Sequence, residues 1–353
     1  MSKSVPYYLS KSPVMRFFYV VILTIILIFS VGRIFRQAPQ SPFDFKIAPK
    51  ENLSDQDTLQ LQETLRSKQD EIERLVRSLY PKDHSGYAPI EDFMGRCLRG
   101  VKQILADPAQ GWLPVVKLEK INAGGDRCFV TAVPYLRQYP ELALSKTEQL
   151  RKSGFNGYYL YFVGGYPNPT GNEIQYVGVP YSMKIFAMME AQKRGFQNVI
   201  WLDSAAMPLR DPSPLFECLE SAGAFIHGWG APPNYWTYVF PETKKLLMKL
   251  TGTDVTRSFY INSVVFGLRM NTPLTRDFID QYHQMLKLGT PFLSCFPEEC
   301  VFAAIYGQKK FRKNWKKHQI LNLIKYLEPG VSDTTERIEK ARQDGFYFYQ
   351  LNH

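Results

Sequence analysis

From about residue 128 onwards, short apolar runs alternate with helical patterns. Apolar runs bounded by turn residues predict strands at 128–133, 158–163, 198–202 and 224–227. Helical spacing of apolar residues predicts helices at 145–153 and 181–195, and a further helix follows the Asp-Pro-Ser-Pro turn at 211–214. This alternation indicates an α/β domain with a mostly parallel sheet flanked by helices.

One carboxylate follows directly on a predicted buried strand. The preceding helix ends at a basic pair and Gly195, and its apolar residues are Met183, Phe186, Ala187 and Met189. The strand then ends in Trp201-Leu202, and Asp203 comes next. Because ligands bind outside the carboxyl ends of strands in open α/β sheets, Asp203 is predicted to face a ligand. A carboxylate here can also serve only to form the turn, and that alternative stays open.

The order of these elements resembles the nucleotide-sugar glycosyltransferases of the GT-A fold. The matching features are a helix, a strand ending in Trp-Leu-Asp, a DPSPLF helix start and a further strand. Residues 260–271 resemble the family's strand that begins with Asn-Ser, and residues 297–306 resemble its short acidic helix. The resemblance spans roughly residues 128–306. It implies a GT-A-like, Rossmann-like head that transfers a sugar from a nucleotide sugar to a glycan, protein or lipid acceptor.

The acidic motif departs from the family pattern at its second position. The family usually has Asp-x-Asp, which lies beneath the sugar diphosphate and commonly holds a divalent metal; this chain has Asp203-Ser204-Ala205. The resemblance implies that Asp203 and Ser204 bind the donor and that Asp203 holds Mn²⁺ or Mg²⁺. Ala205 supplies no oxygen ligand, so metal dependence stays open. Ala205 also favours an alternative, a catalytically degenerate head that binds a glycan or protein without turnover.

Two further clusters are candidates for contact with the acceptor. Glu298 matches the acidic position of the family's helix, so it is the candidate general base; an acid can also simply favour the start of a helix. A Gly- and Pro-rich loop carries aromatic residues whose flat faces suit a sugar, and the candidates are Trp229, Tyr235 and Trp236. Packing of the loop is the competing role for these aromatic side chains.

The chain has a net charge of +10, and its densest basic segment is KKFRKNWKK at 309–317. A basic nucleic-acid binder would be expected to carry a recognised module or more interleaved aromatic residues, so no nucleic-acid partner is expected. A transferase that lacks one acidic metal ligand still needs positive charge at the leaving diphosphate. Lys313 and Lys316 are the candidates for that role, and a solvated basic surface is the alternative.

The amino-terminal segment predicts a membrane anchor. Residues 17–32 contain no charge, and the span from Phe17 to Phe35 approaches the length of a bilayer crossing. A cleaved signal sequence is the alternative. Basic residues flank the span equally, so charge does not decide its orientation. The resemblance implies a single-pass protein with a short cytoplasmic tail at 1–16 and, in a eukaryote, a lumenal head in the Golgi or endoplasmic reticulum.

Residues 36–120 are predicted to form a linker and a helical stem ahead of the catalytic domain at 121–353. The stem's seam residues recur at spacings of four and three, and they are Leu61, Leu65, Lys68, Ile72, Leu75 and Leu79. This heptad rhythm predicts a short coiled coil through which two chains can pair, and a single helix packed on the head is the alternative. Of the five cysteines, Cys295 and Cys300 either form a local disulfide or remain thiols.

Overall fold

The predicted strands and helices are all present in the computed structural model, which describes residues 54–105, 114–136, 138–164, 167, 176, 178–230, 235–256, 259–315, 322–327 and 334–351. The strands are β1 Val115–Ile121, β2 Arg127–Val133, β3 Gly157–Val163, β4 Asn198–Leu202, β5 Ala206–Pro208, β6 Ala224–Gly230, β7 Phe259–Arg269, β8 Ile324–Leu327 and β9 Phe348–Leu351.

The described residues form eleven α-helices, of which the first three precede the sheet. They are α1 Asp55–Leu79, α2 Ile90–Cys97, α3 Arg99–Leu105, α4 Tyr139–Lys152, α5 Met183–Lys193, α6 Ser213–Ala222, α7 Pro241–Thr251, α8 Pro273–Leu288, α9 Pro297–Tyr306, α10 Lys309–Asn314 and α11 Thr334–Gln343. Short 3₁₀ helices lie at Tyr235–Tyr238 and Thr290–Phe292. Gly195, the predicted helix stop, and Gly154, which follows α4, have φ angles of 96° and 87°, which glycine adopts without steric cost.

A six-stranded sheet with the order β1-β3-β2-β4-β7-β6 forms the centre of this structure. Strand β2 is parallel to β3 and to β4, whereas β7 is antiparallel to both β4 and β6. Strand β6 therefore runs in the same direction as β4, and only β1 and β7 of this sheet run the other way. The mixed α/β class is confirmed. Strands β5, β9 and β8 form a second, small sheet.

Both faces of the central sheet are covered. All five residues of β4 are buried, and alternate residues belong to different cores: Trp201 packs in one and Leu202 in the other. The first core also contains Phe186 of α5 and Phe302 of α9, and the second contains Phe216 of α6. Burial on both faces explains why this strand is a continuous apolar run rather than an alternating one.

Helix α1 packs onto the head as a single helix. Leu65, Ile72 and Val76 are fully buried in the same core as Phe186 and Phe302. The alternative of one helix packed on the head therefore describes α1, and the coiled coil finds no support among the described residues. Pairing of two chains through this segment stays a prediction.

The central sheet begins before the predicted domain boundary. Strand β1 pairs with β3 along its whole length, from Val115 opposite Val163 to Ile121 opposite Gly157. Residues 115–121 are thus part of the sheet, whereas the sequence assigned most of them to the stem.

The predicted anchor, Phe17 to Phe35, and the tail at 1–16 lie outside the described residues. Among the residues that are described, no helix combines the length and the apolar character needed to cross a bilayer.

None of the five cysteines, all of which are described, forms a disulfide, so the local bridge between Cys295 and Cys300 is absent. Both thiols are buried in the core, and the hydroxyl of Ser294 lies 3.5 Å from the sulfur of Cys300. Burial of Cys97 raises the pKa of its thiol to about 12, which favours the protonated, unreactive form.

Candidate active site

A cavity of about 640 Å³ opens at the edge of the central sheet where β2 and β4 end. The antiparallel register places Leu202 opposite Val265, so the first half of β7 reaches the same edge as the end of β4. Charged and hydroxyl side chains from five separate parts of the chain line this cavity, and they include Arg96, Arg99, Lys184, Asp203, Ser263, Glu298 and Glu299. The cavity lies where the strand directions predicted a ligand.

Asp203 lines this cavity and is only partly buried. Its backbone N–H donates to the carbonyl of Val264 at 2.9 Å, so β7 still holds the chain just beyond the end of β4. The side chain is 27% exposed. Its Oδ1 accepts a hydrogen bond from Nε1 of Trp201 at 2.5 Å and lies 3.2 Å from Nζ of Lys184. Ser204 and Ala205 also line the cavity.

Glu298 and Glu299 lie in the first turn of α9, where the helix dipole favours acids. Both are buried, with 3% and 8% of their surface exposed. Oε1 of Glu298 lies 2.7 Å from the hydroxyl of Ser263 and 2.9 Å from Nζ of Lys184. Oε1 of Glu299 lies 3.2 Å from the same hydroxyl. The predicted base and the predicted donor ligand therefore share one cavity and one lysine, Lys184.

Sequence reasoning missed Lys184, the group that joins these carboxylates. Its side chain is 3% exposed, and its Nζ donates to the carbonyl and the hydroxyl of Ser263 at 3.1 and 3.0 Å. Burial alone would lower its pKa, but the charges of Asp203 and Glu298 raise the pKa above the ordinary lysine value. The ammonium group is therefore charged at neutral pH.

The sequence interpretation identified only part of the buried face of α5, since Phe186 and Ala187 are buried. Its buried residues are Lys184, Ile185, Phe186, Ala187, Met188 and Ala191, whereas Met183 and Met189 are only partly buried. Because α5 is enclosed on most sides, its periodicity indicates the buried face poorly. One signal was available: Lys184 has no acid three or four residues away, so a local ion pair does not explain it.

Two arginines from the predicted stem also line the cavity. Nη1 of Arg96 donates to the hydroxyl of Tyr181 at 2.9 Å, and the guanidinium of Arg99 lies 5.5 Å from the centre of the Tyr181 ring. Tyr181 has a φ of 60°, which is rare outside glycine. Burial raises the pKa of its phenol although both arginines oppose that shift. Among the described lining residues, three cations thus face three carboxylates.

Lys146 of α4 supports the turn after β4 from behind. It is fully buried, and its Nζ donates to the backbone carbonyl of Asp203 at 2.7 Å and also to that of Ala206. Burial lowers its pKa to about 7, and the charge of Asp203 offsets only part of that shift. The turn that presents Asp203 is therefore held by a side chain 57 residues earlier in the sequence.

The structure does not bring Lys313 to the cavity. Lys313 is exposed on α10, which follows the carboxyl end of α9, whereas Glu298 lies at the amino end of that helix. A ten-residue helix separates its ends by about 15 Å. Lys310 of α10 instead pairs with Asp277 of α8 at 2.5 Å. Lys316 lies outside the described residues.

The side chains of the aromatic candidates Trp229, Tyr235 and Trp236 also fall outside the described part, so their contact with an acceptor stays a prediction. A smaller cavity of about 300 Å³ adjoins the first and shares Arg96 and Arg99 with it. Tyr238 and Phe296 line this smaller cavity with their ring centres 5.4 Å apart. Sequence reasoning had not assigned a role to Phe296.

The residues at Asp203 do not fit the divalent metal that the resemblance implied. The described residues contain no group of three His, Cys, Asp or Glu side chains that could hold a metal ion. Oδ1 of Asp203 and Oε1 of Glu298 already lie 3.2 and 2.9 Å from the ammonium of Lys184. Ala205 adds no oxygen where the family has its second acid.

Comparison with known proteins adds one distant structural similarity. No family model and no curated protein sequence matches the chain. Among solved structures, the chain is similar to a glycosyltransferase involved in the glycosylation of the major capsid of PBCV-1. The identity is 14%, the match covers 64% of this chain and 92% of that one, and the TM-score is 0.35. The functional argument therefore rests on the geometry of the cavity.

Proposed function

We propose that this protein is a glycosyltransferase that moves a sugar from a nucleotide-sugar donor to a hydroxyl of a glycan, protein or lipid acceptor. One observation carries the proposal. The carboxylates of Asp203 and Glu298, one after a strand and one in a helix, converge on Lys184 in a cavity of about 640 Å³ at the carboxyl edge of the sheet. That volume lies in the range of small-molecule sites.

The donor would lie against Asp203 and the two arginines. Asp203 is the more exposed of the two carboxylates, at 27% against 4% for the Glu298 side chain, and Trp201 fixes its orientation. It can therefore accept hydrogen bonds from hydroxyls of the donor's ribose or sugar. Arg96 and Arg99 line the same cavity and carry the positive charge that a departing nucleotide diphosphate requires.

Glu298 is the candidate base. In a single displacement, the acceptor oxygen forms a bond to the anomeric carbon while the bond from that carbon to the diphosphate oxygen breaks. The electron pair of the broken bond leaves with the nucleotide diphosphate, and the acceptor proton passes to Glu298. Ser263 and Lys184 hold one oxygen of this carboxylate in place.

A binding head without turnover is the second candidate function. It is favoured by Ala205 and by the engagement of both key carboxylates with Lys184. Such a head would bind a glycan or a protein, and would release no nucleotide from any donor.

A panel of UDP- and GDP-sugars, offered to the full chain in detergent, tests the proposal. At least one donor is expected to raise the melting temperature, because a ligand that binds only the folded state stabilises it. The same donor should then release nucleotide when acceptors are supplied. Stabilisation by a donor without nucleotide release, across a broad set of acceptors, would favour the binding head. No stabilisation by any donor, with or without Mn²⁺, would contradict the transferase.

Membrane anchoring through Phe17 to Phe35 and a lumenal head in the Golgi or endoplasmic reticulum form part of the same proposal. The support is the uncharged sequence of that segment. In a eukaryotic cell, the chain should remain in the membrane pellet after alkaline carbonate extraction. Deletion of residues 17–35 should release it to the supernatant.

A further inference from the structure

We propose that Lys184 is a built-in cation of this cavity, whose ammonium group occupies the position between Asp203 and Glu298 and so excludes a divalent metal ion. Its Nζ lies within 3.2 Å of four oxygen atoms, which belong to Asp203, to Ser263 and to Glu298. These oxygens come from the end of β4, from β7 and from α9. The lysine thus joins three elements at the point where the carboxylates converge.

The ammonium group and a metal ion would compete for the same atoms. Mg²⁺ needs oxygen ligands at about 2.0–2.1 Å in near-octahedral geometry. Three oxygens that could enter that shell, Oδ1 of Asp203, Oε1 of Glu298 and the hydroxyl of Ser263, already contact Nζ of Lys184. A metal held by these three oxygens would require the lysine side chain to leave.

The surroundings of Lys184 oppose that departure. The side chain is 3% exposed, and its Nζ lies 5.2 Å from the ring centre of Tyr181 and 5.5 Å from that of Trp201. Moving the lysine away would leave buried Glu298 without its closest counter-charge.

The consequence for catalysis rests on the proposed function, whereas the exclusion of metal rests on the geometry alone. If the cavity transfers a sugar, it does so without a divalent ion. Arg96 and Arg99, the two other cations among the described lining residues, then stabilise the negative charge of the leaving diphosphate. Lys184 acts as a positioning residue, since it holds the carboxylates of Asp203 and Glu298.

Titration of the full chain with Mn²⁺, followed by electron paramagnetic resonance, tests the exclusion directly. The wild type is expected to leave the spectrum of free Mn²⁺ unchanged. Lys184→Met should bind one Mn²⁺ per chain, about a hundredfold or more tighter than the wild type, because the substitution removes a like charge a few ångströms away. Adding Asp203→Asn to that variant should abolish the gained binding.

Lys193→Met is the matched control. Lys193 lies on the same helix and pairs with Glu190 at 2.7 Å, but it is exposed and lies outside the cavity lining. This variant should bind Mn²⁺ no better than the wild type.

Two outcomes would overturn the proposal: binding of one Mn²⁺ by the wild type that Asp203→Asn removes, or a folded Lys184→Met that gains no site. If Lys184→Met does not fold, Lys184→Gln provides a neutral side chain that can still bond to Ser263, and the wild-type titration decides the question by itself. Because the readout is metal binding, its failure is distinguishable from failure of donor binding or turnover.

Discussion

Two basic regions lie at opposite ends of α9, and they differ in burial and in the partners of their charged groups. At the amino end of α9, Lys184 is buried against two carboxylates in a cavity. After its carboxyl end, α10 carries the first part of the densest run of positive charge in the sequence, and its Lys313 is exposed to solvent. The cavity holds fewer basic residues than the run, yet its charges are the ones placed to act on a ligand.

This difference shows that charge density along the chain does not measure electrostatic effect. Exposed charges are solvated and screened by salt, so they act weakly on a ligand. Buried charges that converge from distant segments act in a lower effective dielectric and have fixed positions. The sequence interpretation gave weight to the run at 309–317, whereas the folded chain concentrates its effective charge near Lys184.

The largest contrast is expected in stability. Lys184→Met should lower the free energy of unfolding by about 3–5 kcal/mol, because it leaves buried carboxylates without their counter-charge. Lys313→Met should change it by less than about 0.5 kcal/mol, as is usual for an exposed position. Chemical denaturation of both variants measures the two values. Equal losses of unfolding free energy in the two variants would show that the two regions do not differ in their contribution to stability.

The next contrast concerns turnover. Asp203→Asn keeps the side-chain volume but removes the charge that faces the cavity, so it should lower turnover by about a hundredfold or more, equivalent to roughly 3 kcal/mol. Its circular dichroism spectrum should stay that of the wild type. If Asp203 only forms a turn, Asn serves almost as well, and near-normal turnover would show that.

A smaller contrast is expected between Arg96, which lines the cavity, and Lys313, which does not, in their effect on donor binding. Arg96→Gln should raise KM for the donor about tenfold, the low end of the effect expected for a hydrogen bond to a charged group, because Arg96 is exposed. Lys313→Gln should leave that KM unchanged. Steady-state kinetics with the best donor compares them. A larger rise in KM for Lys313→Gln than for Arg96→Gln would instead assign the diphosphate role to the exposed run at 309–317.

The last contrast, in the pH dependence of stability, is between Lys184 and a second buried lysine, Lys146. The pKa of Lys146 is lowered to about 7 in the folded protein from an ordinary value of 10.5, so the unfolded chain binds more protons between those pH values. Stability should therefore rise from pH 7 towards 10.5, with a contribution of up to about 1.4 kcal/mol per pH unit. In Lys146→Met this contribution should disappear. An identical pH dependence in both proteins would contradict the assignment.

The local pattern was sufficient to predict the elements that carry the predicted site. Continuous apolar runs predicted β3 and β4, because strands buried on both faces contain little else. The resemblance to the GT-A family placed the short acidic helix at 297–306, the bounds it has in the structure. Asp203 was chosen from its position at a strand end and Glu298 from its match to the acidic position of the family's helix, and both line the cavity.

The local pattern could not predict contacts between residues that are distant in the sequence. Lys184 is 79 residues from Ser263, and Arg96 is 85 residues from Tyr181. Periodicity indicates only which side of an element is apolar. In an enclosed helix such as α5, a buried lysine therefore reads as a polar exception in an apolar pattern and not as a functional group.

The sequence by itself thus determined the α/β class and the strand that ends at Asp203, since each depends on neighbouring residues, and the family resemblance supplied the acidic helix start. Only the tertiary structure decided that Lys184 joins Asp203 to Glu298, that Arg96 enters from the predicted stem and that Lys313 stays away from the cavity. The physical reason is that the state of a charge depends on burial and on partners, and both are set by packing between segments that the local pattern does not relate.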